Sequence, residues 1–378
     1  MTTTLKQQIS EAKGLEEKLE ILGDYQNKQL LSLEKKPLTT LEELQELSLS
    51  LSLIAEEILQ SAQSIAEKEM RPRYGLPRIK DNDGQYLPSH LALIGMGKLG
   101  AQELNFGSDL DLIFVFEKSG STQGGEKQVS NQEYFTKLVQ RIINYLSLHT
   151  RRGKLYEVDT ELRPSGQAGA LVTPLESWLA YYQKGADFWE HQALLKARLL
   201  NPGGSFSKAF EGLFNRLIFL KKFPEDLNTK IYQLRERIEK ELAKETNTRW
   251  DFKKGYGGLM DIEFAIQYLS LRYGHFYPEI VKRQSMTALE AIKIKNLISQ
   301  EISEDFKEAY LFYRRLEKTL RWDLNLKDTY IENQSDYIHQ VAEKMKLQVE
   351  EFRESFKEKR YKVREHYKKI LKLEKTSN

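Results

Sequence analysis

The sequence predicts an α+β chain: a small mixed sheet with flanking helices, followed by a mostly helical bundle. Three observations carry that expectation. Two short apolar runs, Leu91–Ile94 and Leu112–Phe116, suit buried strands and are separated by a glycine-rich turn. Apolar residues recur near helical spacing at Leu5, Ile9, Ala12 and Leu15, and again at Leu41, Leu44, Leu47 and Leu51. From Ser205 onward the pattern is almost wholly helical. The expected divisions are a helical segment over 1–75, a central α+β domain over 76–204 and a helical bundle over 205–378.

Composition excludes several classes of function. At 378 residues the chain is too long for one small core. A net charge of only +3 gives no general case for binding polyanions, so no nucleic-acid partner is expected. No run of eighteen apolar residues exists, so no membrane span is expected. The start, MTTTLKQQIS, lacks an apolar signal core, and export is not expected. The absence of cysteine rules out disulfides and thiolate–zinc sites and agrees with a cytoplasmic location. The six histidines show no metal-ligand spacing.

In chain order, Pro37 followed by Thr39 and Thr40 marks a helix break and an N-cap. The leucine-rich stretch 41–59 holds for too few heptads to be a zipper and reads as a packed helix. Residues 71–90 contain three prolines and two glycines and read as a linker or entry loop. Their basic residues Arg71, Arg73, Arg78 and Lys80 fit either a solvated loop or a phosphate contact. Residues 118–130 read as a surface loop or flap. The next helix carries Phe135, Leu138, Ile142 and Tyr145 on one stripe.

The chemistry concentrates in residues 91–117. Gly95, Gly97 and Gly100 bracket a tight turn, and Gly107-Ser108-Asp109-Leu110-Asp111 runs directly into the second apolar strand. Alternation puts Asp109 and Asp111 on the same face. Two carboxylates at the mouth of an apolar strand repel each other unless a cation sits between them. Mg²⁺ takes such hard oxygen ligands together with substrate phosphates, and a glycine-rich turn offers N–H groups to phosphate. With these flanks the pair points to metal-dependent nucleotidyl transfer. A second acidic segment, Lys154–Pro164, read as a strand, sets Glu157, Asp159 and Glu161 on one face. One of the three would complete a cage for two Mg²⁺ ions about 4 Å apart, and periodicity does not say which.

Residues 174–200 are helical and aromatic and end in Lys196 and Arg198, which suit a triphosphate or a solvated helix end. A charged helix is expected to start at Pro224-Glu225-Asp226, Trp250–Lys254 is short and extended, and Gly255, Gly257 and Gly258 turn the chain into another helix. On that helix Asp261 and Glu263 stand about 200° apart and form no metal pair. Long charged helices are expected over 300–325 and 346–373. The last 28 residues carry ten Lys/Arg against five Asp/Glu, the pattern of a solvated helix.

Four blocks, Gly95–Phe116, Leu155–Trp178, Trp189–Leu199 and Asp251–Gly274, together resemble the glutamine synthetase adenylyltransferase family, in family order and over about half the chain. GMGKLG followed by NFGSDLDLIF is the most specific part. The resemblance implies a nucleotidyltransferase fold for the central domain, ATP as substrate, Mg²⁺ as cofactor and glutamine synthetase as protein substrate, with the signal protein PII as a further partner. It implies that Asp109 and Asp111 bind the metal, and it selects Asp159 as the third carboxylate through the string Asp-x-x-Leu-Arg-Pro. Gly107 and Ser108 would hold the nucleotide, and Lys98, Arg163, Arg198 and Lys253 fall at matching basic positions. Glu161 departs from the family, which usually has arginine there. Family members carry two such modules, one adding AMP to a tyrosine and one removing it by phosphorolysis to give ADP. Here there is one, and most of its strings resemble the transferase half, although Asn105-Phe106 resembles the other. Three functions follow in order: AMP transfer, phosphorolytic removal, and a catalytically silent module binding glutamine synthetase or PII.

Overall fold

In this computed structural model the described residues are 4–372 without 37, 202–203, 220–222, 327 and 333–335. The chain forms two units. One comprises Met1–Lys36, Leu47–Leu104 and Ser108–Ile218; the other comprises Pro37–Glu46, Asn105–Gly107 and Phe219–Asn378. Pro37, expected to break the first helices, lies outside the described residues. Mixed sheets with flanking helices and a mostly helical remainder give the α+β class that the sequence predicts.

The chain opens with helices α1 (Leu5–Glu11), α2 (Leu15–Glu34) and α3 (Leu41–Tyr74). Thr40 and Glu43 cap α3 reciprocally: Thr40 Oγ1 accepts from Glu43 N at 3.2 Å, and the Glu43 carboxylate accepts from Thr40 N at 3.1 Å. Residues 71–90 are not a linker. α3 continues through Arg71 to Tyr74, and strands β1 (Leu76–Lys80) and β2 (Tyr86–Pro88) follow as a hairpin. The reason is local. Asp81 Oδ1 accepts from Asp83 N at 3.0 Å and from Gln85 N at 2.8 Å, folding a tight turn between the strands.

The central sheet follows, built from β3 (Leu91–Gly95), the short helix α4 (Gly97–Gly100) and β4 (Leu110–Phe116). β5 (Ser121–Gln123) returns to pair with β1, so the expected flap over 118–130 is partly strand. Helix α5 (Asn131–Ser147) starts at Ser130, whose hydroxyl accepts from Glu133 N at 3.1 Å. Then come β6 (Val158–Asp159), β7 (Val172–Pro174), α6 (Leu175–Lys184), α7 (Phe188–Leu194), β8 (Arg198–Leu199) and α8 (Gly204–Phe219). β4 pairs antiparallel with β3 and parallel with both β6 and β7, while β8 pairs with β3.

Both faces of β3 and β4 are buried, which explains their unbroken apolar runs. Ile94, Ile113 and Val115 join Trp178, Tyr182, Phe206, Phe210 and Phe214 in one core. The Trp178 ring lies 5.5 Å from Phe210 and 6.3 Å from Phe214, which explains why α8 belongs with the sheet and not with the helices after it. The other face is closed by α5, where Phe116 and Phe135 stack at 5.2 Å. α1 and α2, expected in a segment of their own, count with this unit as well.

The second unit holds α9 (Leu227–Ile238), a π-helical turn over Glu239–Ala243, β9 (Arg249–Asp251), α10 (Leu259–Tyr273), α11 (Ser285–Ile294) and α12 (Gln300–Lys318). A second π-helical turn covers Thr319–Asp323, followed by β10 (Tyr330–Glu332), α13 (Asp336–Lys344) and α14 (Val349–Ile370). Its polar centre is Asp261, fully buried. Asp261 meets Arg235 Nε at 2.5 Å and Arg364 Nε at 2.9 Å, and accepts from Gly257 N at 3.0 Å. Glu239 pairs with both arginines, so two buried cations face two carboxylates. The basic end of the chain is therefore not merely a solvated face: Arg364 sits in this network, and Arg360 pairs with Glu245 at 2.6 Å. Replacing one partner leaves the others buried and uncompensated. Asp261→Asn is expected to destabilise the helical unit by about 3–5 kcal/mol, read as a lowered urea midpoint; an unchanged midpoint would refute it.

Candidate active site

β4 begins at Leu110, so Asp109 stands at its entrance and Asp111 one residue inside. The parallel register places Leu110 opposite Val158 and Asp111 opposite Asp159, and Leu110 N donates to Glu157 O at 2.9 Å. The antiparallel neighbour fixes the other side, where Met96 N donates to Asp111 O at 2.9 Å. Asp109 and Asp159 line one cavity of about 590 Å³ with Glu157, Glu161, Arg163 and Gln167. Four carboxylates against one guanidinium make this cavity strongly attractive to cations.

The acidic segment is a strand for two residues only, Val158 and Asp159, not from Lys154 to Pro164. Asp159 Oδ1 accepts from Glu161 N at 2.7 Å and bends the chain off the sheet. Arg163 then folds back on its own loop. It donates to Thr160 O and Thr160 Oγ1, both at 2.8 Å, to Gln167 O at 3.1 Å and to Gly169 O at 3.2 Å. Glu157, Asp159 and Glu161 consequently do not share the face of one strand. Glu161 is held by the side-chain amide of Gln167, a partner with no sequence signal.

The loop is also tied to the helices behind it. Ser165 adopts φ +63°, and its N–H donates to Tyr181 Oη at 3.3 Å. Tyr181 in turn donates to Glu190 Oε1 at 2.7 Å. Burial pushes the Tyr181 phenol above its ordinary value, and the Glu190 carboxylate adds to the shift, so the hydroxyl stays a donor at neutral pH.

The side chains of Arg198 and Lys196 are committed to the fold. Arg198 donates to Gly100 O at 3.0 Å and to Leu99 O at 3.2 Å, and pairs with Glu56 on α3. Lys196 pairs with Glu103 at 3.1 Å, both buried. Neither is a solvated helix end. Lys98 is the second residue of α4, and its carbonyl accepts from Glu103 N at 2.7 Å. Ser108 is half-buried just ahead of β4.

Gly107 and Lys253 belong to the second unit. Gly107 has φ +63°, and its carbonyl accepts from the Arg321 guanidinium. Asn105 Nδ2 donates to Arg314 O at 3.2 Å and to Glu317 Oε2 at 3.1 Å, and the Phe106 ring packs at a tilt on Trp322, centroids 4.4 Å apart. Lys253 lies in the turn before α10, where its N–H and that of Lys254 each donate to Asp251 Oδ1 at 2.8 Å. Arg321 carries no signal in the sequence because it sits on a π-helical turn, whose extra residue leaves no mark in the periodicity.

Among the described residues, no three Asp, Glu or His side chains gather in an arrangement that could hold a metal ion. Asp109 and Asp111 at the head of one strand, with Asp159 across the ladder, are nonetheless hard oxygen donors. Mg²⁺ takes donors of that kind, usually one or two protein carboxylates, and completes its shell with substrate phosphates and water.

Arg163 needs its planar fork for these bonds, and lysine does not reproduce it. Arg163→Lys is expected to loosen the 160–169 loop by about 2 kcal/mol, seen as roughly thirtyfold faster amide exchange at Arg163, Gly166 and Gly169. Wild-type exchange rates there would refute the assignment.

Residues 1–212, more than half of the chain, match the family model of glutamate-ammonia ligase adenylyltransferase, and residues 225–371 match that of GlnD PII-uridylyltransferase. Relatives named bifunctional glutamine synthetase adenylyltransferase/adenylyl-removing enzyme occur in Thioalkalivibrio sulfidiphilus, Hahella chejuensis and Shewanella woodyi. The first is 33% identical over 303 residues, covering 79% of this chain and 31% of its own. The second is 34% identical over 310 residues (79% and 32%), and the third 32% identical over 313 residues (83% and 32%). The chain thus spans about a third of the length of these curated relatives. On the family match, together with the acidic strand entrance that carries its most specific string, the chain belongs to the glutamate-ammonia ligase adenylyltransferase family.

Proposed function

We propose that the first unit transfers AMP from ATP to a tyrosine of glutamine synthetase. The observation that carries this reading is the pairing of Asp111 with Asp159 across β4 and β6, with Asp109 and Asp159 lining one cavity. Asp109 and Asp111 would hold Mg²⁺ and, through it, the triphosphate; Asp159 would complete the set from the neighbouring strand. Mg²⁺, when bound, neutralises charge on the phosphates and stabilises the charge that develops during displacement. The turn at Gly107 and Ser108 would offer backbone N–H groups to the phosphates. The tyrosine oxygen, losing its proton to solvent, bonds to the α-phosphorus, the bond from the α-phosphorus to the α,β-bridging oxygen breaks, and that oxygen leaves with the β- and γ-phosphates as pyrophosphate. The chain's own contribution is placement and a fixed electrostatic field rather than covalent chemistry. Lys98, Arg163 and Arg198 are proposed to act by positioning the nucleotide-binding segments or the nucleotide itself.

A second reading, phosphorolytic removal of AMP to give ADP, is favoured by one observation. The relatives' names join both activities, and this chain corresponds to a third of their length. A catalytically silent module that binds glutamine synthetase is the third reading, and the match of the helical unit to a PII-uridylyltransferase model supports PII as an additional partner. A cytoplasmic location accompanies all three.

Glutamine synthetase incubated with ATP labelled at its α-phosphorus separates them. Transfer predicts label on the protein, and loss of at least a thousandfold in rate for Asp109→Asn and Asp111→Asn with unchanged circular dichroism. Release of ADP from adenylylated glutamine synthetase and phosphate would instead favour removal. Absence of both reactions, with Mg²⁺-dependent ATP binding also absent by calorimetry, would leave the silent module.

A further inference from the structure

Three glycines shape the turn that leads from β3 through α4, and a methyl group on each would strike a different neighbour. On Gly95 it would lie 2.8 Å from the Leu200 side chain. On Gly100 it would lie 2.1 Å from Lys196 O and 2.3 Å from Gly95 O. On Gly97 it would lie 2.4 Å from Asp111 Oδ2 and 3.2 Å from Asp111 Cγ. Of the three, Gly97 alone abuts a side chain that the proposed chemistry uses. Its φ of +49° also falls where glycine is favoured.

We propose that Gly97 is a positioning residue for Asp111: its bare Cα forms the wall on which the Asp111 carboxylate rests and fixes the direction its oxygens face. The inference rests on the reading of Asp111 as a metal-binding carboxylate. The backbone on both sides of this contact is fastened. Ala101 N donates to Gly97 O at 3.1 Å, Gly100 N donates to Met96 O at 2.9 Å, and Met96 N donates to Asp111 O at 2.9 Å. Asp111 is further held in register with Asp159. A side chain at 97 is therefore accommodated by rotation of the Asp111 carboxylate, the movable partner, and not by shift of either backbone. A displacement of about 1 Å at a reacting centre is enough to cost on the order of a hundredfold in rate.

Two effects of Gly97→Ala must be separated: the strain of a left-handed alanine and the collision with Asp111. Gly84→Ala is the control for strain, because Gly84 has φ +80° and open space around it. Mn²⁺ binding with a non-hydrolysable ATP analogue, followed by electron paramagnetic resonance without turnover, is expected to weaken at least tenfold in Gly97→Ala and to be unchanged in Gly84→Ala. A stability cycle reads the contact without any metal. Gly97→Ala is expected to lower the melting temperature less in an Asp111→Ala background than in the wild type, because the colliding carboxylate is gone. Should Gly97→Ala fail to fold, the double variant is expected to fold. Additive melting shifts, an unfolded double variant, or wild-type Mn²⁺ affinity in Gly97→Ala would each overturn the inference. The AMP-transfer assay of Asp111→Asn judges the proposed function separately, since neither arm of this test measures transfer.

Discussion

The first unit depends on a single constraint at strand β4. From Leu112 to Phe116 the strand is buried on both faces, so no charge is tolerated beyond its entrance. The carboxylates of Asp109 and Asp111 are confined to the end where the strand meets water. β3, β6 and β7 all take their register from β4. A slip of one residue would turn Asp111 toward the opposite face and carry an acid into the α5 side of the core. Fold and candidate site are thus specified by the same alternation.

Guanidinium groups organise backbone in both units, by different means. Arg163 closes a surface loop by donating to carbonyls and a hydroxyl within ten residues of itself. Arg235 and Arg364 come from distant helices and meet at Asp261, and Arg235 also donates to Gly255 O at 2.6 Å. The first arrangement holds a loop locally, while the second ties α9, α10 and α14 into one body. Burying such charges is costly, and only the full set of partners makes it tolerable.

Much of this was legible in the sequence. The two apolar runs became β3 and β4, the stripe from Phe135 to Tyr145 became the buried face of α5, and the helical C-terminal half was evident from its period. The string GMGKLG followed by NFGSDLDLIF by itself indicates the family to which the chain belongs. What failed had physical causes. The hairpin in 71–90 was hidden by prolines that sit at positions in β1 and β2 where they are tolerated, and by an Asp81 turn that alternation does not register. The strand over 154–164 was cut short by side-chain-to-backbone bonds from Asp159 and Arg163, which compete with a ladder and leave period two intact. The pairing of Lys196 with Glu103 and of Arg198 with Glu56 joins residues far apart in the chain, beyond the reach of any local pattern.

Glu190 carries a consequence of its own. One oxygen accepts from Asp187 N at 2.9 Å and so completes the first turn of α7; the other takes the phenol of Tyr181, which receives Ser165 N. The start of a helix and the bend beyond Asp159 therefore share one acid as a common fastener. Loss of this carboxylate would loosen the helix end and the bend together, so the acidic cavity carries a built-in dependence on an element that contributes nothing to its lining.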